Sequence, residues 1–267
     1  MSSSTEAPGR TGAARPSDER RNVACYVYGI VPEDVDISDD AVGVGEPPGR
    51  VRLVRHGEIG ALVSEVDADR PLGRAQDLVA HERLLDEAAA EVPVLPLRFG
   101  AVMTTPEAVV GELLAPHHDQ FAAALKEIEG RTQYIVRARY LERPVLLEVL
   151  EENSEARRLR DRIRDLPEDA TRNERIRLGE VITYAVAAKR ESDTEDVLDR
   201  FSGCTAAAAV REPTHERDAA HVAFLVESER QADFERTLEE LRREWKDRAE
   251  VRLLGPMAPY DFIVTER

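Results

Sequence analysis

The order of apolar patterns after Gly130 limits this chain's possible architectures more than any other feature. "TQYIVRARYL" (132–141) reads as a strand, and residues 144–165 carry a helical pattern laced with i,i+4 charge pairs, ended by Pro167. A long helix follows over about 170–201, with Leu178, Val181, Ile182, Ala185 and Ala188 on one face. "TAAAAVRE" and "AHVAFLVES" read as two strands joined by a polar loop that contains Pro213. Residues 230–247 form an amphipathic helix on Phe234, Leu238, Leu241 and Trp245, and "EVRLLGPM" is a last strand. The series β, helix pair, β, β, α, β is a ferredoxin-like plan, βααββαβ, with its first helix enlarged to two.

The stretch before Gly130 follows a looser version of the same α+β plan. "VACYVYGIV" (23–31) is a dense β-branched and aromatic run that reads as a central strand, and a turn-rich acidic loop follows it. "VRLVRHGEIGALVSEV" splits at His56-Gly57-Glu58 and predicts a hairpin with Gly at positive φ. Residues 74–91 read as a helix with Leu78, His81, Leu85 and Ala88 on its apolar stripe. "VPVLPLRFGAVM" is β-rich but broken by Pro93 and Pro96, which belong at a sheet edge or bulge because proline donates nothing to a ladder. Thr105 then caps a helix with Pro106 at its first position, and Pro116 predicts a kink or break. These patterns predict two domains, 23–130 and 131–267, each a modified ferredoxin-like sheet with helices on one face. Residues 1–22 lack any apolar period and are expected to form a disordered tail.

Charge narrows the function classes. With 37 Lys and Arg against 53 Asp and Glu the net charge is −16, so the average surface repels phosphate backbones and anionic membranes. No nucleic-acid or membrane partner is expected. The N-terminal stretch has no apolar signal core, no run approaches a membrane span, and Cys25 and Cys204 read as core thiols. A cytoplasmic protein is the expectation.

A search for chemistry finds little. Asp34, Asp36, Ser38 and Asp40 alternate like a calcium loop, but Asp39 stands at the sharp-turn glycine and Gly45 at the closing glutamate. His117 and His118 are adjacent on a helix and diverge by about 100°. There is no P-loop, no Gly-x-Ser-x-Gly elbow and no His-Glu-x-x-His. His81 is open to three readings, namely a buried core histidine, a partner contact, or a base acting with Asp86 or Glu82. No metal, cofactor or enzymatic activity is expected.

The segment "AHERLLDEAAAEVPVLPLRFGAVMTTPEAVVGELL" resembles the most characteristic stretch of the gas vesicle protein F/L family. "YVYGIV", "RIRLGEVI" and "GPMAPYDFIV" agree with the family in order. Two departures stand out. The Trp-Pro-Pro-Tyr-x-Phe of the family is Met257-Ala258-Pro259-Tyr260-Asp261-Phe262 here, and Gln133 stands where a glutamate is common. The resemblance implies a minor gas vesicle component needed for assembly or nucleation of the shell. It would bind the small hydrophobic shell protein and other accessory gas vesicle proteins. Its motif residues are His81, Pro96, Arg98, Phe99, Gly100, Pro259, Tyr260 and Phe262. Arg98 is either paired to a carboxylate or free to touch the shell protein, and Gly100 serves either an unusual φ or a close approach. A tandem ferredoxin-like module that binds a small regulatory ligand is the alternative.

Overall fold

Val23–Pro32 (β1) sets the first sheet, and every side chain from Ala24 to Val31 is buried, so both faces of the strand need cover. On one side β1 pairs antiparallel with β3 (Ile59–Asp67), which pairs with β2 (Arg52–His56) across the predicted Gly57-Glu58 turn, where Gly57 has φ 58°. On its other side β1 bonds two fragments of two residues each, β4 (Leu95–Pro96) and β5 (Val102–Met103). The computed structural model describes residues 22–38, 40–70 and 72–263, so the tail expected over 1–22 falls almost wholly outside it.

Helix α1 (Ala75–Ala89) covers the face that carries Tyr26, Tyr28 and Leu62. The opposite face, with Val27, Ile30 and Val63, packs against Val109, Leu114, Leu125 and Ile128. Those residues come from the π turn Val109–Leu114, which continues the short helix α2 (Pro106–Ala108), and from α3 (His118–Ile128). The expectation of helices on one face is therefore corrected, because odd and even positions of β1 are equally apolar. Thr105 caps α2 as predicted, its Oγ1 accepting from Ala108 N at 3.2 Å. Pro116 falls in the break between the π turn and α3. On α1 the stripe is shifted: Leu78 is exposed, while Asp77 is buried and accepts from the backbone of Gly45, Gly73 and Arg74.

The second sheet places β6 (Arg131–Tyr140) and β8 (Asp218–Glu227) at its centre, with β7 (Ala207–Val210) and β9 (Ala249–Met257) at its edges. All pairs are antiparallel, and each βαβ unit has a strand between its two parallel members, which is the ferredoxin-like arrangement. The connections are α4 (Glu142–Glu152), α5 (Ser154–Ile163), α6 (Arg172–Phe201) and α7 (Gln231–Trp245). Their apolar faces meet Val136, Val222 and Phe224 in one core, where the Phe201 ring stacks on Phe224 with centroids 4.8 Å apart. The single helix expected over 144–165 is in fact two. Asn153 adopts extended angles and its side chain accepts from Glu155 N and Ala156 N at 3.0 Å, which ends α4 and caps α5. Among the described residues no helix is long and apolar enough to cross a membrane.

One buried carboxylate holds the end of this sheet. Asp218 accepts from Thr214 N at 2.8 Å and His215 N at 2.9 Å, and it pairs with Arg137 and Arg139. Burial works to raise its pKa, but the Thr214 and Arg139 hydrogen bonds and the Arg137 charge outweigh it and hold the group at about 2. Asp218→Ala is expected to cost about 3–5 kcal/mol at neutral pH, because it strands two guanidinium groups. The folded pKa lies below the unfolded value of about 3.9, so this contribution is complete above pH ~4 and is lost as pH falls toward about 2. Urea denaturation of both proteins across that range checks the convergence.

Candidate partner-docking site

The chain returns from α1 to the edge of β1, and its backbone contacts there isolate three residues. Leu97 N donates to Tyr28 O at 2.8 Å, and Val27 N donates to Ala101 O at 2.9 Å. Adjacent residues of β1 are thus matched to positions four apart, and Arg98, Phe99 and Gly100 are looped out. Ala101 N donates back to Arg98 O at 3.3 Å, which closes a turn whose third residue, Gly100, has φ 94°. A Cβ at Gly100 would meet nothing within 4 Å, so conformation rather than space requires glycine.

Beneath the turn lies an aromatic cluster that the sequence reading did not single out. The Tyr26 hydroxyl accepts from Gly100 N at 3.0 Å and lies 3.0 Å from His81 Nδ1. Tyr26 Oη and His81 Nδ1 share one hydrogen bond, whose donor is set by the His81 tautomer. Nε2 is buried without a partner of good geometry, although the Leu97 backbone is close enough to favour the protonated form. Burial outweighs that and lowers the His81 pKa; burial also pushes Tyr26 up to about 12. Tyr28 stacks on His81 at 5.7 Å, and its hydroxyl accepts from Val44 N at 2.7 Å and bonds Ser64 at 2.8 Å. Phe99, half-buried, closes the cluster with its ring 5.6 Å from His81 and 6.0 Å from Tyr26.

The C-terminal segment reaches the same neighbourhood. Ala258 N donates to Asp86 Oδ1 at 2.9 Å, and Ala258 and Pro259 are buried. Burial raises the Asp86 pKa against that hydrogen bond, with Glu82 adding to the rise. Burial, then the charges of Asp86 and Glu82, push the Tyr260 hydroxyl up, and Tyr26 adds to them. Asp261 anchors the other side: it accepts from Gln133 Nε2 at 2.6 Å, its own N donates to Gln133 Oε1 at 3.0 Å, and Arg211 pairs with it at 3.3 Å. A glutamate at position 133 would set a second carboxylate against Asp261, whereas the Gln133 amide donates to it and also reaches Met257 Sδ at 3.5 Å.

The predicted residues thus divide by exposure. His81, Pro96 and Pro259 are buried, Phe99 and Phe262 are half-buried, and Arg98, Gly100 and Tyr260 are exposed. His81 bonds Tyr26 rather than Asp86 or Glu82. The Arg98 guanidinium makes no hydrogen bond or ion pair with any described residue, which leaves the carboxylate-pairing alternative without a partner. The signal for the missed members was the pair of tyrosines, two apart, in the otherwise aliphatic run of β1.

Residues 24–264 match the model of the family described as "Gas vesicle synthesis protein GvpL/GvpF". The chain belongs to this family. It is 32% identical over 245 residues to gas vesicle protein F of Streptomyces sp. (strain CB03234), covering 90% of this chain and all of that one. It is 30% identical over 258 residues to gas vesicle protein L of the same strain, covering 89% of this chain and 91% of that one. In fold it is similar to the crystal structure of GvpF from Anabaena sp. PCC7120, with a TM-score of 0.73, 24% identity, and coverage of 92% of this chain and 98% of that one. Family members are gas vesicle accessory proteins, and the family is not known as one of enzymes.

The turn's two supports are separable. Gly100→Ala is expected to cost about 1–2 kcal/mol through the left-handed backbone alone, since the added methyl meets open space. Phe99→Ala is expected to cost about 2–3 kcal/mol, less than the ~3–5 of a fully enclosed ring. Equilibrium unfolding in urea measures both.

Proposed function

We propose that this gas vesicle protein assists assembly or nucleation of the vesicle shell in the cytoplasm by binding the small hydrophobic shell protein and other accessory gas vesicle proteins. The Arg98-Phe99-Gly100 turn and the neighbouring Tyr260 form the contact. In this reading residues 23–130 and 131–267 act as two domains, with the C-terminal segment fastening the second to α1 of the first.

The observation that carries the reading is the state of Arg98: it is exposed, without a partner among the described residues, and mounted on a turn whose backbone is bonded to a buried tyrosine. Arginine and phenylalanine are enriched at interface cores. A turn already held in one conformation loses little further entropy on binding. The net charge of −16 makes a free guanidinium beside an aromatic ring a local exception on this surface.

Arg98→Glu separates docking from folding. Its stability is expected to stay within about 0.5 kcal/mol of wild type, as for an exposed residue without partners. A strain carrying this variant as its only copy is expected to lose vesicles or form far fewer, counted by electron microscopy, and purified variant should fail to retain the shell protein in a pull-down. Normal vesicles with full retention would refute the reading.

A further inference from the structure

His81 is a titratable side chain buried beneath the docking turn, with 2% of its surface exposed. Its Nδ1 lies 3.0 Å from the Tyr26 hydroxyl, and that hydroxyl accepts from Gly100 N at 3.0 Å, so one oxygen joins the imidazole to the turn. Nε2 is buried without a partner of good geometry. The Phe99 ring stands 5.6 Å from the imidazole and the Leu97 backbone approaches it too, so the stretch Leu97–Gly100 forms the cover of the site. Tyr26 and Tyr28 of β1 enclose the ring from the sheet side.

No charge stands ready to offset a proton on this ring. On β1 the titratable neighbours are Tyr26 and Tyr28, whose hydroxyls burial keeps protonated. On α1, Asp77 accepts from the backbone of Gly45, Gly73 and Arg74, Asp86 accepts from Ala258 N, Arg83 pairs with Glu87, and Glu82 is exposed. The C-terminal segment brings the Tyr260 hydroxyl, and the turn brings Arg98, itself a cation. Among the described residues none of these groups forms an ion pair with His81. An imidazolium here is a buried charge with no counter-charge, which is costly unless water reaches it.

We infer that His81 gates the docking turn: the neutral imidazole lets the turn close, and uptake of a proton opens it and withdraws the Arg98 face. The way to hydrate the charge is to lift Leu97–Gly100, because the strand fragments flanking that stretch are only two residues each. Burial sets the folded pKa of His81 below its ordinary 6.5, so the closed turn has its full stability above that pH and loses it as the pH falls below. This inference rests on the reading of the turn as the docking face.

Amide hydrogen exchange of the full chain, followed by NMR with the intrinsic rate divided out at each pH, tests it without a partner protein. The protection factor of the Gly100 amide is expected to fall about 3–10-fold between about pH 7.5 and about pH 5.5, while amides of the β6–β8 ladder keep theirs. His81→Gln and His81→Phe should each flatten the Gly100 profile, whatever its absolute level, and using both guards against one of them failing to fold. A flat profile in the wild type, a fall that persists in both variants, or a fall shared by the β6–β8 ladder would each overturn the inference. None of these outcomes bears on whether the turn docks, which the pull-down with Arg98→Glu decides separately.

Discussion

The burial of both faces of β1 is the constraint on which the rest of this structure depends. Eight consecutive residues of this ten-residue strand are buried, with α1 over one face and the π turn and α3 over the other. The helices of the second sheet meet it in a single core instead. The same strand places Tyr26 and Tyr28 beneath the looped-out turn. The hydroxyl of Tyr26 is the point where fold and candidate site meet, since it serves a backbone N–H of the turn and the ring of a helical histidine together.

The C-terminal segment adds a second tie. Asp86 on α1 holds Ala258, and Gln133 on β6 holds Asp261, so only two residues separate an anchor in the first sheet's helical layer from one in the second sheet. Tyr260 lies between those anchors, near enough to Tyr26 to feel it electrostatically. A partner that grips the Arg98 turn and Tyr260 thereby contacts both halves of the chain, and its binding energy is linked to their mutual orientation.

Much of this was legible in the sequence, and the physical reasons divide cleanly. Long periodic segments such as Arg172–Phe201 and Gln231–Trp245 were read with the right type and nearly the right limits, because their apolar period exceeds any local ambiguity. The order of elements after Gly130 was enough to give the split βαβ sheet. What escaped was local competition and long-range pairing. Asn153 sits in an otherwise helical run and is polar like its neighbours, so only its cap geometry reveals the break. Asp77 replaces Leu78 on the inner side of α1 because three backbone N–H groups from two loops converge on it, which no periodicity records. The motif residues themselves were found by resemblance. Their sorting into a buried His81 and an exposed Arg98 needed the register of Leu97 and Ala101 against β1.

The account's central claim is that a rigid, looped-out arginine turn is the face this protein offers to other gas vesicle components. Placing a photo-activated crosslinking side chain at position 98 and irradiating cells during vesicle assembly tests it most directly. The account predicts covalent adducts with the shell protein or another gas vesicle protein from position 98, and none from Tyr184 on α6, which is also exposed. Adducts from Tyr184 alone, with position 98 silent, would contradict it.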